Sequence, residues 1–561
     1  MHRKAGLNPQ HLSPPSTTNA TTLSGGEAIV EALIANGVET VFGIPGIQLD
    51  ALFDAFYGRR DRIRVIHTRH EQGAAYMAMG YAQASDRAGV FTVVPGPGLL
   101  NSLTALADAA SANLPILGVT GQIPSERIGQ GLGFAHELKD QRAVVAGIID
   151  WVERAQYPSE VPERIDAAFR HMYRPRHRPA VLEMAPDIMA KRAPVLALPA
   201  AQKPQPPLAP PEAIARAAEL IGKSKSVLIM VGGGCIGAEA PLRRFAELLG
   251  APIVMTQNAR GVLSDDHPLA YNMLCGQEFW KEADLIIAIG TRMMTPLLSW
   301  GRPELPMLRI DVDPVQIAKP RLPTQAIVAD ASAALNALSA ALEASSHRPS
   351  RSWDFAALAK PVMSRLASLE PVAQFARAIR EAVPRDGIFA SDITQFGVYA
   401  RFALPIYNPK SYLLPGNQAT LGWAYPAALG AQIAQPERKV VTFAGDGGFL
   451  FNVQELATAV QHRIPVVAIV FNNSRYGNVH LIQAKDYGGR HIAADLRNPD
   501  FVALARAFGM DAARVETPEA LGRALTGFLK ARAPALIEVT VGDLPDVWQL
   551  VKRPPSQGER R

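Results

Sequence analysis

Residues 444–473, AGDGGFLFNVQELATAVQHRIPVVAIVFNN, place a carboxylate among glycines about one strand–helix–strand unit ahead of an Asn-Asn pair. In an open parallel sheet, ligands collect outside the carboxyl ends of strands, and this spacing predicts that Asp446 and Asn473 reach such ends on neighbouring strands. Gly445, Gly447 and Gly448 lack a Cβ, so their backbone N–H groups can approach a bound anion closely. A helix and its exit turn over 449–465 should add a positive N-terminal end. That turn suits a diphosphate. One carboxylate and one amide oxygen, completed by phosphate oxygens and a backbone carbonyl, make the all-oxygen shell that Mg²⁺ takes. The residues alone leave a second reading open, a capping aspartate followed by an unrelated Asn-Asn turn.

These residues must be positioned by a chain of 561 residues, too long for one core and long enough for three or four domains. Ser24-Gly25-Gly26-Glu27 reads as a capping box opening a helix. The segments ETVFGIPG, IRVIHTRHE, GVFTVVPGPG, PILGVTGQ and RPAVLEMA then read as strands of a parallel α/β domain over 23–190, behind a disordered tail at 1–22. The Pro-rich stretch at 191–211 reads as an extended linker. A second α/β domain over 212–345 offers SVLIMVGGG, PIVMT, DLIIAIGTR and MLRIDVDP. A linker at 346–370 precedes a third over 371–551, with GIFASD, VVTFAGDG, PVVAIVFNN and ALIEVTVG, and 552–561 forms a second tail. The fold class is therefore α/β, three successive parallel-sheet domains.

The middle domain carries a competing motif. Gly232-Gly233-Gly234-Cys235-Ile236-Gly237 satisfies G-x-G-x-x-G after a strand, but a dinucleotide site also wants an acidic residue about 20 positions on. The next strand instead runs into Gln257 and Asn258. Tight strand-to-helix packing is the alternative to a nicotinamide site.

Of the six net positive charges, five fall in the two tails, so the folded body gives little support for a nucleic-acid surface. No apolar run approaches the ~18 residues that span a bilayer. Two cysteines, Cys235 and Cys275, are too few for a disulfide framework, and the polar start lacks a secretion signal's apolar core; the expected location is cytoplasmic.

The G-D-G…N-N pattern resembles the signature of thiamine-diphosphate enzymes, and GDGGFLFNVQELATAV is similar to their acetolactate synthase branch. VFGIPG, RHEQGAAYMAMGYAQAS, VTGQIP, LRIDVDPVQI and ATLGWAYPAALGA match further family segments in the family's order, across nearly the whole chain between the tails. The resemblance implies pyrimidine-binding, central Rossmann-like and diphosphate-binding domains, with thiamine diphosphate and Mg²⁺ as cofactors. It makes Asp446, Asn473 and the carbonyl of Arg475 metal ligands and puts the Gly445–Gly448 turn on the diphosphate, held by the Gly447 and Gly448 amides. Gln395 would contact the same diphosphate, although Phe396 replaces the histidine usually beside it. Leu421 would wedge the two cofactor rings into a bent form, with the Ala419 carbonyl and Leu421 amide on the pyrimidine. Glu71 would protonate the pyrimidine, so that an imino nitrogen removes the thiazolium C2 proton. Gln122 matches an active-site glutamine. Without the resemblance, Glu71 reads as an ordinary first-turn glutamate.

The substrate region departs from the branch. Pro45 is followed by Gly46-Ile47-Gln48 rather than Gly-Gly-Ala, so Ile47 and Gln48 become candidate substrate residues, Gln48 either bonding a substrate oxygen or lying exposed at a helix start. His136 stands near where the branch places a glutamine, either as a substrate-orienting imidazole or as a surface histidine. Ile482 replaces a Trp that selects the second keto acid. A non-redox FAD is left open by Arg292, which matches a flavin-side arginine. The 271–285 segment, however, lacks the branch's Gly-Met-His-Gly loop, so the protein should be largely colourless. The implied reaction is carboligation: a 2-keto acid is decarboxylated to a hydroxyethyl carbanion that adds to a second carbonyl, the partner being a 2-keto acid or aldehyde. The alternatives are a 2-keto acid decarboxylase or C–C lyase, and a catalytically silent regulatory subunit, against which the presence of Glu71 argues. The resemblance also implies self-association, as a homodimer or homotetramer.

Overall fold

The computed structural model describes residues 20–345 and 353–551; most of the expected first tail, the start of the second linker and all of the C-terminal tail lie outside the described residues. The chain builds three six-stranded parallel sheets in succession. The first contains β2 (Thr40–Gly43), β3 (Arg64–His67), β4 (Gly89–Val93), β5 (Ile116–Thr120), β6 (Val152–Ala155) and β7 (Ala180–Met184), in the order β3-β2-β4-β5-β7-β6. A two-stranded antiparallel ribbon of β1 (Thr21–Ser24) and β8 (Arg192–Val195) ties the start of this domain to its end. The first strand therefore starts slightly before the expected boundary, and the linker after 190 opens with a strand. Ser24 and Glu27 do form the capping box, Glu27 N–H donating to Ser24 Oγ at 3.1 Å and Ser24 N–H to Glu27 Oε2 at 2.7 Å, at the start of α1 (Gly25–Ala35).

The central sheet takes β9 (Val227–Val231), β10 (Ile253–Met255), β11 (Ala270–Tyr271), β12 (Leu285–Ile289), β13 (Met307–Asp311) and β14 (Gln325–Val328), in the order β11-β10-β9-β12-β13-β14. Chain order reverses between β9 and β12, which opens a crevice at their carboxyl ends. The stretch expected as a linker to the third domain contains a helix, Phe355–Ala367, whose Ala359 and Leu366 are buried.

The third sheet has β15 (Ile388–Ser391), β16 (Tyr412–Leu413), β17 (Val440–Gly445), β18 (Val467–Asn472), β19 (Asp511–Val515) and β20 (Ala535–Thr540), in the order β16-β15-β17-β18-β20-β19. The strands ending at Gly445 and Asn472 are adjacent and parallel, Gly445 pairing with Phe471, as the spacing required.

Two further first-domain helices, α2 (Glu71–Ala84) and α3 (Pro97–Ala112), carry site residues. From Gly73 onward α2 is buried almost all round, which its small residues permit. It lies against α4 (Ala424–Ala434) of the third domain with the two backbones in contact. A Cβ on Gly80 would come within 1.9 Å of the Ala427 carbonyl oxygen, and one on Gly430 within 1.9 Å of that of Met77. The pairings Met77 with Gly430 and Gly80 with Ala427 make the helices antiparallel.

Candidate active site

In the third domain the helix expected over 449–465 is divided. A single turn, α5 (Asp446–Phe449), follows β17 directly, and α6 (Glu455–His462) begins only after a non-helical stretch. The turn, not a long helix, therefore supplies the backbone N–H groups at this strand end. Asp446 is its first residue and is buried. Burial raises its carboxyl above the usual range, opposed by the Asn498 amide and by the N–H groups of Gly447, Ser474 and Arg475. The loop after β18 is thus brought onto Asp446, and Asn498 Nδ2 ties Asp446 Oδ2 (2.7 Å) to Asn472 Oδ1 (3.0 Å). Asn473 donates through Nδ2 to Gln395 Oε1 at 3.4 Å, so those two expected cofactor residues also meet. Phe396, at the position of the missing histidine, is a core residue stacked on Phe471 at 4.3 Å.

The glycines of the turn serve different ends. A Cβ on Gly447 would meet the Tyr476 ring at 2.5 Å, and one on Gly445 would crowd the Thr394 methyl at 3.3 Å. A Cβ on Gly448 would enter space bounded by Asp392 Oδ2, the Gly422 nitrogen and Leu421 Cδ2 at 3.6–3.9 Å. Asp392 lies at the end of β15, where its Oδ1 accepts from Ala424 N–H (2.8 Å), while its buried Oδ2 has no hydrogen-bond partner. Desolvation pushes this carboxyl up to about 7. The unpaired Asp392 oxygen and the Gly422 nitrogen thus lie together beside Gly448, and a buried polar atom left unpaired calls for a polar partner.

The loop before α4 carries the other two expected cofactor residues. Ala419 adopts a left-handed φ of 53°, and Leu421 is 44% exposed, standing out from its surroundings. The loop is held from the first domain: Asp108 on α3 accepts from Gly416 N–H (2.8 Å) and Gln418 N–H (3.1 Å), and Ser111 Oγ from Asn417 N–H (2.7 Å). Ile482 lies 48% exposed on α7 (Gly477–Asp486), a helix with no buried residue.

A second cluster forms at the carboxyl ends of the first sheet. Glu71 opens α2 and accepts from Asn101 Nδ2 on α3 at 3.0 Å. Gly98 adjoins it, since a Cβ there would lie 3.5 Å from Glu71 Oε1. Gln122, 3% exposed, turns its Oε1 onto the Ile123 N–H at 2.7 Å. Gly121 packs on Gln48, and Gly96 packs on the backbone of His136, a residue at φ 70° whose Nδ1 is buried without a partner. Ile47 projects into solvent. The structure thus gathers Gln48, Glu71, Gln122 and His136 at one sheet end. Asn101 and Asn498 were not singled out from sequence; each is an isolated asparagine whose partner lies far off in the chain.

The two clusters stand apart within one chain. Glu71 begins α2, whereas Leu421 precedes the start of the antiparallel α4, so they lie at opposite ends of the helix pair, Glu71 being roughly 18 Å along its axis from the level of Ala424 at 1.5 Å per residue.

At the central crevice, a cavity of about 770 Å³ is lined by residues including Gly233, Asn258, Thr291, Arg292 and Asp311. A Cβ on Gly232 would lie 2.2 Å from the Gly290 oxygen, and one on Gly234 2.7 Å from Gly290 Cα, so close packing of the β9 and β12 turns accounts for both glycines. Arg292 donates to the Ser111 carbonyl of the first domain at 2.7 Å.

Comparison with known proteins decides the family. Residues 23–144, 214–338 and 392–539 match, in that order, the N-terminal TPP binding, central and C-terminal TPP binding domains of thiamine pyrophosphate enzymes. The chain belongs to the thiamine pyrophosphate enzymes. Its relatives in that family include a probable acetolactate synthase large subunit of Methanocaldococcus jannaschii, 32% identical over 549 residues and covering 92% of each chain. A probable 2-ketoarginine decarboxylase of Pseudomonas aeruginosa is 34% identical over 545 residues, covering 92% of this chain and 94% of the relative. The acetolactate synthase isozyme 1 large subunit of Escherichia coli K12 is 30% identical over 560 residues, covering 97% and 98%. Among the described residues, no helix is long and apolar enough to cross a membrane.

Proposed function

We propose that the chain is a thiamine-diphosphate- and Mg²⁺-dependent carboligase of 2-keto acids, acetolactate synthase-like, working as a homodimer or a larger assembly of such dimers. The observation that carries the cofactor reading is the buried, unpaired Oδ2 of Asp392 beside Leu421 and Gly448, in the turn that the buried Asp446 opens. Asp446, Asn473 Oδ1 and the Arg475 carbonyl would hold the metal. The Gly447 and Gly448 N–H groups and Gln395 would hold the diphosphate, and Leu421 with the Ala419 carbonyl the pyrimidine end. Bound there, thiamine diphosphate would supply a nucleophilic C2 and, in its thiazolium ring, an electron sink for the decarboxylation of a 2-keto acid. Glu71 would exchange a proton with the pyrimidine nitrogen, and Asn101 orients its carboxyl group. Gln48, Gln122 and His136 would address the substrate from the same side, and Ile47 and Ile482 would shape its pocket.

The antiparallel α2 and α4 support self-association, because an axial separation of roughly 18 Å between Glu71 and the start of α4 is too great for Glu71 and Leu421 of one chain to reach the same aminopyrimidine. A second copy would bring its Glu71 to this chain's Leu421. Exposed apolar side chains beside both clusters, Ile47 and Leu132 on one and Phe451 and Ile482 on the other, are what such a contact would cover. Two buried free cysteines suit the cytoplasmic reading. Flavin stays outside the proposal, since the Arg292 guanidinium is engaged by Ser111.

A decarboxylase is the second reading, favoured by the resemblance to the 2-ketoarginine decarboxylase and by the altered residues at 47, 48 and 482. Incubating the protein with thiamine diphosphate, Mg²⁺ and a panel of 2-keto acids and aldehydes, with products read by mass spectrometry, separates the two. Acyloin or acetohydroxy acid products support carboligation; aldehydes alone support decarboxylation.

A further inference from the structure

The residue turn that delivers Glu71 is held by the third domain. Glu455, fully buried on α6, accepts from the backbone N–H of His70 through Oε1 (3.0 Å) and from that of Arg69 through both oxygens (3.2 Å each). Thr458 Oγ1 donates to its Oε2 at 2.6 Å and keeps the carboxyl from rotating. Two more α6 residues grip the same turn: Gln461 Oε1 accepts from Arg69 Nη2 at 2.7 Å, and the His462 ring meets His67 edge-on at 5.0 Å. On α2 itself, Gly73 leaves room for this approach, since a Cβ there would lie 2.5 Å from Glu455 Oε1. A salt-bridge role is not what the geometry offers, because the oxygens face backbone N–H groups. Those N–H groups immediately precede α2, where a carboxylate also complements the helix dipole.

We infer that Glu455 is a positioning residue for Glu71: by fixing the two residues before α2 it sets where the first helical side chain stands. The inference rests on the proton-relay reading of Glu71. Displacing a positioned acid–base group by about 1 Å can cost on the order of 10²-fold, so a small shift in the entry to α2 is enough to be read. Glu455 also begins the helix that follows the Asp446 turn, so one short segment runs from the diphosphate cluster to the base of the glutamate.

The test is hydrogen–deuterium exchange at C2 of bound thiamine diphosphate, at saturating cofactor and Mg²⁺, alongside cofactor affinity by titration calorimetry. Glu455→Asp withdraws the carboxylate by one methylene and Gly73→Ala pushes against it from the other side. Each should slow exchange about 10- to 100-fold, with affinity within about threefold of wild type. Glu455→Gln keeps one oxygen for both N–H groups and should stay within about fivefold, a rescue that a purely space-filling role would not require. Wild-type exchange in both Glu455→Asp and Gly73→Ala, with Glu71→Gln slow, overturns the positioning role and leaves the relay standing. Equal losses of exchange and affinity also overturn it, because they mark general damage. Wild-type exchange in Glu71→Gln removes the relay, and the inference with it.

Discussion

Two glycine turns end parallel strands in this chain, and their glycines are there for different reasons. After β9, the Gly232 and Gly234 positions are closed by the backbone of Gly290, so their missing side chains let two loops touch. After β17, a Cβ on Gly448 would meet only ordinary contacts at 3.6–3.9 Å, one of them with the buried, unpaired Oδ2 of Asp392. Similar spelling allows a tight backbone contact in one place and leaves room for a methyl in the other. The difference lies in what stands opposite the missing Cβ, which a motif does not record.

The largest effect should come from the acidic member of the second turn. Asp446→Ala is expected to abolish Mg²⁺-dependent cofactor binding, read by titration calorimetry; wild-type affinity that still depends on Mg²⁺ would remove Asp446 from the metal shell. Glu71→Gln, which touches neither turn, should leave affinity nearly unchanged while slowing C2 exchange roughly 10²- to 10⁴-fold, the scale of a positioned acid–base group.

The turns themselves are separated by a pair of alanines. Gly448→Ala should weaken cofactor binding at least about tenfold without lowering the thermal midpoint, since its methyl meets only ordinary contacts and alanine suits the helical turn. Gly232→Ala should do the reverse, costing about 1–3 kcal/mol of stability through overpacking and leaving the affinity of the folded protein intact. Matching behaviour in the two variants would erase the distinction.

The smallest effect concerns pH. Burial pushes the Glu455 carboxyl from its ordinary 4.5 up to about 7. A raised carboxyl favours the protonated folded state, so its contribution is complete below about 4.5 and is lost as pH rises through about 7. Compared with Glu455→Gln, the wild-type thermal midpoint should therefore fall between pH 5 and pH 8; parallel curves would show that the carboxyl titrates normally.

Within the three large sheets, strands with an apolar interior position were legible, and the ones that went unread share a place. Val152–Ala155, Ala270–Tyr271, Gln325–Val328, Tyr412–Leu413 and Asp511–Val515 are all at sheet edges. An edge strand has one partner and often a wetter face, so it needs less apolar sequence, and VERA or DAARV carries no strong period. In the site, Asp446 and Asn473 could be read because one βαβ unit brings them together. Glu455 could not: its partners are the backbone amides of Arg69 and His70, more than 380 residues away, and backbone amides leave no trace in a side-chain pattern. The helix break between Phe449 and Glu455 was likewise hidden, because the intervening residues include no proline or glycine.

The antiparallel contact between α2 and α4 has a genetic consequence. If each catalytic centre draws Glu71 from one chain and Asp446 from another, two defective alleles can repair each other. A Glu71→Gln chain mixed with an Asp446→Ala chain would concentrate both lesions in one centre of the mixed dimer and leave the other whole. At equal mixing with random exchange, about one centre in four would be intact, although neither parent has any. Intragenic complementation would then arise from helix direction alone.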